Sequence, residues 1–383
     1  MSSAAGFKVT ELGLLEKLRE LNWPFVGVVV LVAGVGYAML YSAAGGDHAP
    51  WAWRHAVRFA LGLGVLLTVA LIDIRAWYRF AYPIYGLALA GLVAVEVAGS
   101  VNMGAQRWID LGVFQLQPSE VMKIALVLAL ARWFHGVYLD EMGRLTNLVV
   151  PALLVFAPAL LVLKQPDLGT AVMLLAGGTV LFFVAGVRLW LFAAVIGAAL
   201  AVLPVLWQQL HGYQKQRVLT FLDPERDPLG AGYHIIQSKI ALGSGGIWGK
   251  GFLHGTQSQL SFLPEKQTDF VFTMLAEETG LVGALAVLFL FTILVVYGFV
   301  FAVRSNSQFG RLLCIGTTVT FFLYVLINIA MVTGLIPVVG VPLPLVSYGG
   351  TAMMTILVGF GLMLSADIHR DVPIPRYPTE VDL

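Results

Sequence analysis

Charge is scarce in this 383-residue chain: Asp, Glu, Lys and Arg make up only 12% of it, about half the share of an ordinary soluble domain. A water-soluble globular fold is thereby excluded for most of its length. Cysteine is scarcer still. The single Cys314 lies in an apolar run and cannot form an intrachain disulfide, so no redox framework is implied. No dense basic run exists, which argues against a nucleic-acid partner. His-Glu-x-x-His and Cys/His clusters are missing, so no structural or hydrolytic zinc site is expected. Ser-x-x-Lys is missing too, which removes the penicillin-binding type of serine nucleophile. The segment Gly245-Gly246-Ile247-Trp248-Gly249-Lys250-Gly251 only faintly approaches a P-loop: Ser244 stands at its first Gly and Gly251 at its Ser/Thr. It is set aside.

What the chain has is apolar length. Hydrophobic residues make up 58% of it, and the mean hydropathy is +0.85. About 20 apolar residues cross a bilayer as a helix. Ten such runs occur, at 24–43, 55–72, 80–99, 119–135, 147–163, 168–187, 189–207, 270–302, 312–333 and 345–366. Each must be helical, because lipid offers no partner to a free N–H or C=O. The expected fold class is therefore all-α: a polytopic membrane protein with ten transmembrane helices and one long extracytoplasmic loop. A single membrane domain spans 1–383, with an N-terminal segment 1–23, the loop 208–268 between the seventh and eighth spans, and a tail 367–383. The first 20 residues are charged and carry no apolar core with a small-residue cleavage site, so no cleavable leader is expected. Residues 8–22 place Leu12, Leu15, Leu18 and Leu21 roughly on one face, as a short interfacial helix would.

Lys and Arg set the orientation. On the side shared by the two ends lie Lys8, Lys17, Arg19, Arg75, Arg79, Arg132, Arg144, Arg188, Arg304, Arg311, Arg370 and Arg376. The opposite short loops carry only Arg54, Arg58, Arg107 and Lys164. Both termini are accordingly expected in the cytoplasm, and the long loop outside.

Ionisable groups in or beside spans are the pointers to function, because lipid tolerates them poorly. In Arg107-Trp108-Ile109-Asp110, an arginine fork could grip a phosphate or simply pair with Asp110. The connection is too apolar for a solvated loop and is expected to dip back toward the membrane. Ser119 can cap the fourth span. Glu120 and Lys123 share a face three residues apart; they either satisfy each other or present Lys123 to an anion in a cavity. Asp167, after Pro166, reads as the cap of the sixth span. Asp269 heads TDFVFTMLAEETG at 268–280. It could merely favour the positive helix end, but Glu277 and Glu278 follow. The run 270–302 is also too long: as a helix it measures about 50 Å against a core of about 30 Å. Its first turns should project outside or bend at Gly280 or Gly283. Finally, Gly334–Gly350 holds three prolines and four glycines without a charge. It should be a shaped, partly re-entrant loop lining protein or a cavity.

Several of these pieces occur together as GAQRWIDLGVFQLQPSEVMKIAL, QPDLGTA, FLDPERDPLGAGYHIIQSKIALGSGGIWGKG, GTQSQLSFLPEKQTDFVFTMLAEETGLVG and GVPLPLVSYGG. In this order they resemble the SEDS family (shape, elongation, division, sporulation), with HGTQSQLSFLPEKQTDF and PLPLVSYGG nearer its elongation branch than its division branch. The resemblance implies a peptidoglycan glycosyltransferase that polymerises lipid II, the undecaprenyl-diphosphate-linked disaccharide-pentapeptide, on the outer face of the cell inner membrane during elongation. The family's essential aspartate falls on Asp269, and its cavity-lining Glu and Lys on Glu120 and Lys123. Implied partners are a class B penicillin-binding transpeptidase and other membrane proteins of the elongation complex.

The chemistry this requires is one base and a stabilised leaving group. Asp269 is the expected general base. Lys123 and Arg107 are the first candidates to meet the diphosphate, with Arg217 and Lys239 behind them. Asp167 and Ser347, inside two of the matching motifs, complete the substrate-binding set. No cofactor is expected; a divalent cation could share the leaving-group role, but no ligand set is legible. The rival readings are a lipid II flippase and a non-catalytic scaffold. A flippase should show inverted repeats or cytoplasm-facing polar motifs, and neither is evident.

Overall fold

A computed structural model describes residues 13–376 apart from 103–104, 111, 113–114, 139–140, 143, 210–214, 216–230 and 260–264. In chain order the elements are α1 (Leu14–Glu20), α2 (Trp23–Ala43), α3 (Ala52–Leu71), α4 (Ile74–Ala98), β1 (Ser100–Asn102), β2 (Ala105–Asp110), β3 (Gln115–Leu116), α5 (Pro118–Gly136), α6 (Leu145–Lys164), α7 (Leu168–Ala185), α8 (Leu189–Gln209), α9 (Ala231–Ser244), α10 (Thr256–Gln259), α11 (Val271–Arg304), α12 (Gln308–Val332) and α13 (Gly350–Ile368).

The ten expected runs coincide with α2 to α8 and α11 to α13. Among the described residues, eight of these helices are long and apolar enough to cross a membrane. α5 and α8 fall on the other two runs; in α5, Glu120, Lys123 and Arg132 interrupt the apolar sequence. The starts are set by local chemistry. Asn22, Asp73, Asp167 and Ser307 each accept a hydrogen bond from a backbone N–H in the first turn of the helix they precede, which satisfies donors that the helix cannot.

Two helix starts differ most from the sequence expectation. α4 begins at Ile74 rather than 80, because the helix continues through Arg75 and Arg79 after its apolar face has ended. α13 begins at Gly350 rather than 345; Pro342, Pro344 and the left-handed Leu345 (φ 63°) keep the chain non-helical up to that point.

α12 and α13 occupy the centre, with 67% and 83% of their apolar windows buried, against 28% for α3, α4 and α6. α5 joins the two central helices and is buried along most of its length. The outer helices turn Leu61, Leu87, Leu153, Phe289 and Val303 outward, each more than half exposed. Such a belt is costly in water and neutral in lipid. The chain is a multi-pass membrane protein.

The connection between α4 and α5, expected to dip toward the membrane, is a small antiparallel sheet of order β1-β2-β3. Pairing its own N–H and C=O groups allows so apolar a segment to sit outside a helix. At the opposite end of the bundle, α1 meets the segment after α13: Arg370 lies 3.4 Å from Glu20, and Lys17 Nζ donates to Leu71 O. The part of α1 expected at 8–12 and the tail 377–383 lie outside the described residues.

Candidate active site

Asp269 lies in the turn 265–270 that leads into α11. Two side chains and one backbone N–H hold its backbone. Asn328, wholly buried on α12, donates from one amide nitrogen to Asp269 O (3.0 Å) and Val341 O (2.7 Å). Ser347 Oγ donates to Thr268 O (2.5 Å) and accepts from Leu343 N. The N–H of Tyr348 donates to Gln267 O at 2.8 Å. Residues 334–350 therefore form the shaped loop expected, with Val341, Leu343, Leu345 and Val346 buried, and they clamp the turn from behind.

The Asp269 carboxylate itself is left over. Among the described residues neither of its oxygens has a hydrogen-bond partner. A methyl group placed on Gly340 would lie 3.6 Å from Oδ2, so the loop approaches the carboxylate with bare backbone. The side chain keeps some surface, but dense protein surrounds it. That loss of solvation, with Glu265 as a second and smaller cause, raises its pKa from 3.8 to about 6.

Glu277 and Glu278 behave differently. Glu277 accepts from Lys250 Nζ (2.8 Å), Gln257 N (2.9 Å) and Thr256 Oγ1. Glu278 accepts from Ser42 Oγ (2.5 Å) and Leu253 N. Both carboxylates are consumed in tying the segment 250–257 to α11 and α2. The three-carboxylate cluster thus resolves into two braces and one open group.

The expected bend in α11 falls at Gly280 (φ 68°). The discarded glycine run 245–251 fills it. Lys250 N and Gly251 N donate to the carbonyls of Glu277 and Glu278, while Leu281 N and Val282 N donate to those of Gly246 and Ile247. Backbone groups that the broken helix leaves open are satisfied by the loop. Gly249 (φ 79°) is packed so tightly that a Cβ would strike Glu278 O.

The other expected substrate groups are placed as follows. Lys123 lies 2.7 Å from Glu120, both almost fully buried, and donates to Tyr324 Oη at 2.5 Å. The Tyr324 hydroxyl in turn donates to Glu120. This is a closed triad between α5 and α12. Beside Lys123 there is a void of only about 10 Å³, room for about one water. Arg107 on β2 donates to the carbonyls of Gln165 and Pro166 at the end of α6; it does not pair with Asp110. Asp167 accepts from the N–H and hydroxyl of Thr170 and caps α7. Ser347 is a brace of the Asp269 turn. Lys239, on α9, is exposed, and its Nζ lies against Gly334 at the start of the shaped loop. Arg217 lies outside the described residues.

A family model described as "cell cycle protein", for FtsW, RodA and SpoVE, matches residues 20–372. The chain belongs to this family. Peptidoglycan glycosyltransferase MrdB of Escherichia coli K12 is 45% identical over 348 residues, covering 91% of this chain and 94% of that protein. Among solved structures, one described as "Structural coordination of polymerization and crosslinking by a peptidoglycan synthase complex" superposes with a TM-score of 0.81 at 34% identity, covering 92% of this chain and 99% of that chain. The rod shape determining protein RodA of Thermus thermophilus gives a TM-score of 0.69 at 30% identity, covering 91% and 97%.

Within this FtsW–RodA–SpoVE fold, the residues that hold the candidate base include some that sequence reading missed. Asn328 was legible only as a lone amide in an apolar span. Tyr324 carried no signal, since its partner Lys123 is 201 residues away. Tyr348, and Arg58 stacked on its ring at 4.6 Å, belong to a loop–helix contact that no spacing reveals.

Proposed function

We propose that this chain is a peptidoglycan glycosyltransferase that polymerises lipid II on the outer face of the cytoplasmic (inner) membrane during elongation, with Asp269 as its general base. One observation carries the assignment of the base. Among the described residues Asp269 is the carboxylate left unpaired where its neighbours are spent, on a turn held rigid by Asn328, Ser347 and Tyr348. Its raised pKa of about 6 suits a group that must take a proton near neutral pH.

The acceptor sugar hydroxyl would give its proton to Asp269. Its oxygen would then bond to the donor's anomeric carbon as the C–O bond to the diphosphate breaks. The electron pair leaves on the diphosphate, and the configuration inverts without a covalent intermediate. Charge-assisted hydrogen bonds would receive the diphosphate. Lys239 is the best placed of the expected cations, because Arg107 and Lys123 are engaged elsewhere in this conformation. The reading needs no cofactor. A divalent cation would have to share Asp269 with the diphosphate, since the described residues hold no cluster of three metal-ligating side chains.

The orientation rests on the Lys/Arg asymmetry, which puts both termini in the cytoplasm and Asp269 outside. The missing Ser-x-x-Lys leaves cross-linking to a partner of the class B penicillin-binding type, within a larger elongation complex. The 45% identity to MrdB and the likeness to a peptidoglycan synthase complex support this reading.

The test is purified protein given lipid II without a partner. Glycan strands from wild type, none from a folded Asp269→Asn, is the expected result. Translocation of lipid II into sealed vesicles without polymer would establish the flippase instead; neither product would leave a scaffold. Full polymerisation by Asp269→Asn would remove the base.

A further inference from the structure

At the end of the bundle opposite Asp269, a pocket of about 470 Å³ opens between the last turn of α5, the α11–α12 connection and the segment after α13. Nothing in the glycosyl transfer uses it. Its polar lining divides into spent and unspent groups. His135 uses both ring nitrogens: Nδ1 accepts from Phe309 N–H at 3.2 Å, and Nε2 faces Ile374 O at 3.2 Å. Asp371 accepts from Asn306 Nδ2 at 2.9 Å and lies 3.7 Å from Arg370 Nε. Arg311 and Arg376 remain. Both are exposed on the pocket's edge, and neither has a carboxylate partner among the described residues. Arg376 is merely laid on the Tyr138 ring at 4.7 Å. Arg311 stands in the first turn of α12, whose positive end adds to the local field.

We infer that this pocket binds the phosphate of an anionic phospholipid in the leaflet opposite Asp269. Two unpaired guanidinium forks facing one cavity match a phosphate's oxygens. Its place at the ends of membrane-spanning helices favours a lipid over a soluble anion. The pocket sits where α5, α12 and α13 end, and Arg132 stacked on Tyr78 and Tyr82 at the same level marks the interfacial zone where tyrosines collect. The C-terminal segment forms one wall, fastened by His135 to Ile374 and by Tyr78 Oη to Arg376 O. A bound headgroup would therefore be gripped between a transmembrane helix and that segment.

The experiment reconstitutes the full chain in vesicles of phosphatidylglycerol mixed with phosphatidylcholine. Lipid retained after extraction is counted by native mass spectrometry. Wild type should keep one phosphatidylglycerol that Arg311→Gln/Arg376→Gln loses by about thirtyfold, as expected for two basic groups near the surface. Arg144→Gln/Arg188→Gln, cations of the same end outside the pocket, should keep it. Equal loss in both double variants, or no loss in either, would overturn the site. Displacement by millimolar inorganic phosphate, or equal retention of phosphatidylcholine, would overturn the lipid assignment.

Discussion

Asp269 and Glu278 are both carboxylates at the N-terminal end of α11, and their surroundings give them opposite uses. Glu278 accepts two hydrogen bonds that fix it in place; among the described residues the Asp269 oxygens accept none. If Asp269 must be ionised to act, polymerisation should fall as pH drops through about 6. The same shift has a stability sign. Unfolded, the group releases its proton near 3.8; folded, near 6. Between those values the folded state binds more protons, so this residue's contribution to stability declines as pH rises across that window. A pH–rate profile and melting temperatures at pH 4 to 7 measure both. Asp269→Asn should flatten the melting profile, and an acid limb in wild type far below pH 5 would separate Asp269 from the proton transfer. Asp269 was legible in the sequence because a carboxylate beside an apolar run needs a reason. Its support was not, because Asn328 and Ser347 act through carbonyls, which any residue type can supply.

At the scale of elements, the bend in α11 is the device that places the loop 245–257. An apolar run of 33 residues already announced that the helix could not run straight through the bilayer. What filled the break was hidden, because the glycine run 245–251 resembled a failed phosphate loop and its real partners are backbone groups far along the chain, at 277–282. Gly280 holds a positive φ of 68°, and a Cβ there would strike Gly249 N and Ile247 O. Gly280→Ala should therefore cost at least about 1–3 kcal/mol from backbone conformation alone. Displacement of the loop should add to that and loosen Lys250 from Glu277. Thermal unfolding in detergent and proteolysis after Lys250 would both report it. An unchanged melting temperature would mean that the loop does not lock the bend. The ten helices themselves were legible for a simpler reason: lipid demands apolar length. Their ends were not, because helices such as α4 run on through arginines once they reach the interface.

For the molecule as a whole, the Glu120–Lys123–Tyr324 triad decides whether the centre of the bundle is scaffold or machinery. The sequence placed Glu120 and Lys123 on one face and left both roles open; only the fold brings Tyr324 to close the pair. Buried ion pairs are costly to break and cheap to replace. Lys123→Ala would leave Glu120 uncompensated among packed helices and should lose about 3–5 kcal/mol, visible as poor yield and a lowered melting temperature. The double variant Glu120→Leu/Lys123→Met removes both charges at similar volume, so it should fold far better than the single one. Its activity then separates the two roles. Near-normal lipid II polymerisation by the well-folded double variant would make the triad a structural clasp between α5 and α12. A large rise in KM at unchanged stability would mean that the triad opens and that Lys123 reaches the diphosphate during turnover. The sealed geometry, with a void of only about 10 Å³ beside Lys123, favours the first outcome. On that account the proposed contact with the leaving diphosphate passes from Lys123 to Lys239.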